Sequence, residues 1–328
     1  RRYRAAVLQA AVEGRIVLTE AQLAARTGRP FEPVERVLTD LGIEAAKATT
    51  GEQGSLPAGW AWGRVSDLSH EIRYGTSAKT SEEPSGVPVL RMGNIRDGNI
   101  DPSKLKYLPT KHSEFPTLLL SNGDVLFNRT NSSELVGKTA VYHGYPSTAS
   151  FASYLIRVRL GAACRPDYLA CYLNSVHGRS WIRSVVIQQV GQANVNGSKL
   201  GALTIPLPPS AEQARIIAEV SRRLSLISEL EQAVSANLRR AARLRQSILK
   251  RAFECKLVPQ DPSDEPASVL VTRIQAERAA SQIGRRTKAA PSSSEDGDSR
   301  VGRRIDRAKP APRLACSRLP AMNCHMPY

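Results

Sequence analysis

The sequence predicts an α/β (α+β) globule built on a mixed twisted sheet, joined to a long coiled-coil-type α-helix. Three observations predict it. Residues 60–208 hold short apolar runs, some alternating like strands and some spaced like helices, separated by Gly, Pro and Asn. After Ser210, apolar residues from Ile217 to Ala252 recur in alternating three- and four-residue steps. A Gly/Pro-rich linker, 51–59, divides the globule from an amino-terminal region that reads as helix, turn and helix.

Residues 1–50 are a helix end, a turn and a short helix, and the globule of 60–208 opens at Trp60. A strand and turn are expected near Val87 to Asn99, and two short apolar runs between Leu118 and Asn128. Lys138 to Tyr142 reads as a strand, and Phe151 to Leu160 alternates like one. Helices are expected over Arg165 to Asn174 and Gly178 to Ile187. The segment Gln188 to Asn196 is amide-rich with little periodicity. Pro208 and Pro209 stop the last strand, and Ser210 with Gln213 three residues later fits a capping box. Residues 211–256 read as one long helix carrying Ile217, Val220, Leu224, Ile227, Val234, Leu238, Ala241, Ile248 and Ala252 on one seam, interrupted by Glu231 and Arg245. At 1.5 Å per residue it is roughly 65 Å long, and a short helix follows near 266–280. Residues 281–328 lack periodicity and read as a disordered basic tail.

The ending of the long helix occurs twice. Arg2 to Val17 aligns with Arg243 to Val258, and Glu32–Pro33 aligns with Glu265–Pro266, the first copy holding eight more residues between these anchors. Gly14 suits the left-handed residue that closes a helix. Cys255 stands at the matching place.

The 328 residues carry 46 Lys+Arg against 30 Asp+Glu, a formal net charge of +16. The excess lies in folded-looking sequence as well as in the tail: 16 basic against 10 acidic residues over 57–208, and 10 against 5 over 211–256. Such a balance implies a polyanionic partner, nucleic acid first. Five cysteines without a C-x-x-C pattern fit buried free thiols in a reducing cytoplasm better than disulfides or zinc. No apolar run is long enough to span a bilayer, so no membrane partner is expected.

Motifs for catalysis are weak. Ser132 to Thr139 (SSELVGKT) approaches a phosphate-binding loop but lacks the first Gly, and strand-type sequence follows where that loop needs a helix. No G-x-G-x-x-G is present. The five histidines show no metal spacing, and Asp97, Asp101 and Lys104 sit in broken turns. No catalytic residue, metal or cofactor is expected. Residue types suited to reading base edges, by contrast, cluster in three loops. Arg91, Asn94 and Arg96 flank one turn. Asn128, Arg129, Asn131 and Ser132 form a second, with Lys138 just beyond. Gln188, Gln189, Gln192, Asn194 and Asn196 fill a third. Asn also turns chains for purely conformational reasons, and the three loops count as a group rather than one by one. The helix cations Arg239, Arg240, Arg243, Arg245, Lys250 and Arg251 are open to phosphate contact or to simple solvation.

Taken together, these residues resemble the specificity subunit of Type I restriction-modification enzymes. The resemblance rests on Gly59–Trp60, Arg91 to Ile95, Gly123 to Arg129, Glu134 to Ala140, Tyr168 to Ser175, Ile205 to Pro209 with Glu212–Gln213, and Leu244 to Phe253 with Lys256 to Pro262. It covers roughly 1–280. It implies that 60–208 is a target-recognition domain and that 209–280 holds a long spacer helix and a terminal helix. Double-stranded DNA would be the ligand. Methylation (M) subunits and a restriction (R) subunit would be cytoplasmic partners supplying all chemistry. The family usually pairs two recognition domains with two long antiparallel helices; here there is the second domain, the second helix and only the tail of the first, at 1–13. The chain is expected to read half of a split site. The alternatives are a half-length subunit acting as a homodimer on a symmetric site, and a coiled-coil scaffold that binds DNA without sequence preference.

Overall fold

The apolar stripe of Val7, Ala11 and Val12 makes the first helix, α1 (Arg2–Val12), amphipathic, and all three residues are buried. This computed structural model describes residues 2–47, 55–132, 134–189, 192–259 and 261–287, in two units, 1–246 and 247–328. Two short helices, α2 (Glu20–Thr27) and α3 (Val34–Asp40), follow α1 where the sequence suggested one. Thr19 and Gln22 form a reciprocal capping box at the start of α2, and Gly28 closes it at φ +65°. The eight residues by which the first repeat exceeds the second match the length of this added helix.

The globule then runs β1 (Ala61–Arg64), β2 (Ser69–Tyr74), β3 (Val87–Leu90), β4 (Ile95–Arg96), β5 (Asn99–Ile100), β6 (Lys106–Leu108), β7 (Asp124–Asn128), β8 (Thr130–Asn131), β9 (Thr139–Tyr142), β10 (Ser150–Phe151) and β11 (Leu155–Leu160). Next come α4 (Pro166–Asn174), α5 (Val176–Val185), β12 (Ile187–Gln189), β13 (Gln192–Asn194), α6 (Gly197–Ala202) and β14 (Thr204–Leu207). The long helix α7 is Ser210–Phe253, 44 residues, and α8 is Ala267–Thr287. The class is the α/β (α+β) one expected, but the sheet is divided. The largest piece is the antiparallel order β2-β11-β7-β9, and four smaller sheets surround it. Among the described strands only β10 and β3 pair in parallel, and an isolated parallel bridge joins Thr76 to Ala152. Short strands broken by turns cannot extend one continuous ladder, hence the division. Several elements carry no clear sequence signal, among them β2, β6 and α6, the last of which occupies residues just after the amide-rich segment. The tail expected over 281–328 is helical through Thr287, and from residue 288 on it lies outside the described residues.

One core joins α1, α3, β1, the β7 and β11 strands, α4 to α6, β14 and the first turns of α7. Beneath the four-stranded sheet Arg157 is 1% exposed. Its guanidinium donates to Glu71 and to the carbonyls of Leu119 and Thr117, and Arg159 donates twice to buried Asp124. Charges this deep persist only when paired and hydrogen-bonded. Cys164 and Cys171 are buried free thiols, as expected, pushed up to about 12 by burial and therefore inert. Cys255 is exposed instead, and Cys316 and Cys324 lie outside the described residues.

The start of α7 differs from the capping-box reading. Gln213 does not serve its own helix end. Its side chain accepts from the Arg165 amide at 2.7 Å and donates to the carbonyls of Ala163 and Pro208, each at 2.9 Å. Beside it, buried Glu212 accepts from Trp60 Nε1 at 3.0 Å and from the Glu20 amide at 2.8 Å. These two neighbours tie the root of α7 to the globule entrance, to α2 and to the segment before α4. The helix α1 lies antiparallel to α7, with Arg4 near Ser228 and Glu231 and Glu20 near Arg215. Glu231, an interruption in the seam by sequence, is thus the partner of Arg4 at 2.9 Å. Past this contact the seam is bare: Val234 is 58% and Leu238 67% exposed.

The repeat holds down to individual hydrogen bonds. Gly14 has φ +69° and Cys255 φ +55°. The Arg15 amide donates to Ala10 O at 2.9 Å, and the Lys256 amide donates to Arg251 O at 2.8 Å. Both are helix ends closed by a left-handed residue. Their faces differ in fate. Val7, Ala11 and Ile16 are buried, whereas their counterparts Ile248, Ala252 and Leu257 are exposed.

Glu212→Ala leaves two buried N–H groups without an acceptor and is expected to destabilise the fold by about 2–4 kcal/mol, read from the midpoint of denaturant unfolding. Burial raises the Glu212 carboxyl above its ordinary value, outweighing the lowering by its hydrogen bonds and by Arg215. The folded chain therefore holds that proton more tightly than the unfolded chain. Stability falls as pH climbs from the ordinary carboxylate value through the raised one. Glu212→Gln is expected to remove this component of the pH slope, although the fold is weaker overall, in parallel melts across that window.

Candidate nucleic-acid interface

The three loops named from the sequence do not meet as one surface. Two of them do. Strand β8 pairs antiparallel with β13, Asn131 opposite Ala193 and Thr130 opposite Asn194, and β13 pairs in turn with β12. The Val195 amide donates to Arg129 O at 2.9 Å and closes the junction. This small sheet stands at the end of the four-stranded sheet where β7 runs out at Asn128. Backbone pairing converts two amide-rich loops into one edge with fixed spacing, which a sequence scan for periodicity does not detect.

Arg129 is the centre of that edge. Its Nη1 donates to Ser153 O at 3.4 Å and its Nη2 to Asn194 Oδ1 at 3.2 Å. The guanidinium lies 4.8 Å from the centroid of the Tyr74 ring, a cation–π distance. Nη1 and Nη2 each carry two N–H groups, so one on each remains beyond these contacts. Two parallel donors are what a guanine O6/N7 edge accepts. Asn131 is half-buried, its Oδ1 accepting from the Ser132 amide, and Ser132 is exposed. Asn196 caps α6 by accepting from the Lys199 amide at 2.8 Å, with its residue exposed. Gln192 lies in β13, and its side chain is outside the described residues.

Other expected residues are placed differently. Asn128 is fully buried, and its Nδ2 donates to Leu135 O. Asn94 is 3% exposed: it accepts from the Arg91 amide and donates to the carbonyls of Asp101 and Lys104. The Asn94 amide is consumed in shaping its turn, the conformational role that Asn so often plays, and Asn128 is held inward through its Nδ2. Arg91 is half-buried, and Arg96 is exposed and paired with Asp101 at 3.0 Å. This turn forms the β4–β5 hairpin. Its tip, Asp97 to Asn99, lines a cleft of about 600 Å³ together with Lys138, Arg4, Leu8 and Leu224. Lys138 thus belongs to the helix side of the globule. Strand β9 follows it directly, and no helix stands there to receive a phosphate. Among the described residues no group of three or more His, Cys, Asp or Glu could hold a metal ion, and no helix is long and apolar enough to cross a membrane.

Two exposed aromatics escaped the sequence reading. Tyr74 is 42% and Tyr154 47% exposed, and the Arg129 amide donates to Tyr154 O at 3.0 Å. The available signal was the Arg73–Tyr74 pair at the end of a polar run, a basic residue beside an aromatic one.

Residues 57–240 match the family model described as the Type I restriction modification DNA specificity domain. The Type I restriction enzyme EcoKI specificity subunit of Escherichia coli (strain K12) is 31% identical over 291 residues, which cover 86% of this chain and 56% of that one. The putative type I restriction enzyme MjaX specificity subunit of Methanocaldococcus jannaschii is 30% identical over 208 residues, 62% of this chain and 49% of that one. The chain spans about half the length of these curated relatives. A solved chain from work on complex assembly and conformational transition of the type I R-M system has the same fold, with TM-score 0.50 at 21% identity, over 77% of this chain and 54% of that one. With more than half of its residues inside the family model, the chain belongs to the Type I restriction modification DNA specificity family.

Proposed function

We propose that this chain reads base sequence in double-stranded DNA through the β8–β13 edge, for companion subunits that carry the chemistry. The observation that carries the reading is Arg129, fixed from three sides with a pair of donors to spare. A pre-oriented Arg loses little rotamer freedom on meeting a base, so its hydrogen bonds discriminate well. Asn131, Ser132, Asn194 and Asn196 complete the reading set, and Arg91 and Arg96 approach the backbone or a neighbouring base. Lys138 is assigned to phosphate or to a partner rather than to a base edge. The 16 basic against 10 acidic residues over 57–208 support phosphate attraction along the globule.

The uncovered seam of α7 is assigned to docking. Along it Val234 and Leu238, with Leu230 beside them, are each more than half exposed, and such a row requires a covering helix. Methylation subunits are the proposed occupants, with a restriction subunit joining them, and the chain reads one half of a split site. A second copy of the chain is the other occupant the seam favours; it would turn the half site into a symmetric one. No cofactor is assigned to the chain, and cytoplasmic assembly is proposed for the complex.

The test is selection of duplexes from a randomised DNA pool, with the chain alone and with its neighbouring methylation subunit, followed by mapping of the modified base. Enrichment of a defined half site is expected; binding indifferent to base order under both conditions sinks the reading. Arg129→Ala is expected to relax preference at one position by about 1–3 kcal/mol, and uniform weakening at every position contradicts the assignment. Asn94→Ala is expected to lower fold stability by about 1–3 kcal/mol, with an unchanged preference pattern in whatever remains folded.

A further inference from the structure

Tyr74 lies in none of the three loops, yet it touches both loops that meet at the reading edge. Its backbone is held in β2, paired with Ile156 of β11, which is itself paired with Phe127 of β7. One strand row therefore connects Tyr74 to the residue two before Arg129. The ring carries the Arg129 guanidinium at 4.8 Å. The hydroxyl oxygen accepts from the Gly197 amide at 2.7 Å, at the start of α6 and next to Asn196. A Cβ on Gly197 would stand 3.2 Å from that oxygen, so the approach is close. Only an aromatic side chain with a polar tip can present a π face to a cation at one end and an acceptor to an amide at the other.

Resting on the reading proposed above, we propose that Tyr74 is a positioning residue for base recognition. It aims Arg129 and ties the Asn194–Asn196 segment to the same rigid strand. Tyr74 acts through its neighbours. Its ring stops the guanidinium from rotating away from the donor geometry that a base edge requires. Without it Arg129 still attracts phosphate but samples several orientations, so discrimination drops while general DNA binding persists.

The test compares the full chain with Tyr74→Phe, Tyr74→Met and Arg129→Lys in the randomised-duplex selection, with melting temperature and low-salt binding to a scrambled duplex as parallel readouts. Phe keeps the ring and is expected to retain the wild-type preference at the Arg129 position. Met fills similar space without a π face. It is expected to lower discrimination by about fivefold at the position that Arg129→Lys also flattens, with scrambled-duplex binding and melting close to wild type. If Met does not fold, Tyr74→Leu replaces it. A wild-type preference in the Met or Leu variant overturns the proposal, as does flattening spread evenly over all positions, or loss of the preference at the Arg129 position in the Phe variant. A wild-type chain that enriches no site at all removes the DNA-reading proposal as well, so the two failures are separable.

Discussion

The arrangement depends on two adjacent side chains at the root of α7. Glu212 and Gln213 are both fully buried, and between them they accept or donate five hydrogen bonds, all to partners far from the helix axis or before its start. A buried carboxylate and amide are costly unless satisfied, so this site has one low-energy geometry. That geometry sets where a 44-residue helix leaves the globule. A small change of angle at the root would become a displacement of many ångströms at the far end. The same lock holds Trp60 and α2, and through α1 it brings Arg4 beside Glu231. Rod, amino-terminal helices and globule therefore form one framework within residues 1–246.

What could be read from the sequence was what local spacing encodes. The long helix was legible because nine apolar positions recur on one stripe. The repeat was legible because the residues that close a helix are few, and both closures are left-handed where the alignment put Gly14 and Cys255. Strands β9 and β14 and helix α4 showed in short patterns with clear edges. The rest depended on partners distant in the chain. Gln213 looked like a capping residue three places after Ser210, and only the fold reveals Ala163 and Arg165 as its partners. Asn94 and Asn128 have the right chemistry for adenine, but burial turns them inward. The pairing of β8 with β13 joins segments over sixty residues apart, and no window of local sequence contains it. For the same reason nothing local marks Tyr74: its significance is its neighbours.

The candidate interface is rigid in an economical way. Two-residue and three-residue strands have little stability alone, but β8 continues directly from β7 in the core, and α6 anchors the other side. Base recognition needs donors fixed to within a fraction of an ångström. A loop of Asn and Gln would pay conformational entropy on binding. Here much of that ordering is present before any ligand arrives, supplied by backbone pairing, by the hydrogen bond from Arg129 to Asn194 and by the Tyr74 ring.

The two copies of the helix-ending motif lead to a colloidal consequence. In the first copy the apolar face is sealed; in the second, Ile248, Phe253, Leu257 and Val271 stand in water, Phe253 at 87% exposure. A formal charge of +16 on each molecule sets up a mutual repulsion that opposes contact between such surfaces. Concentrated salt shortens that repulsion to about 3 Å at 1 M and at the same time favours burial of greasy surface. High ionic strength thus weakens the repulsion and strengthens the pull toward burying this apolar surface.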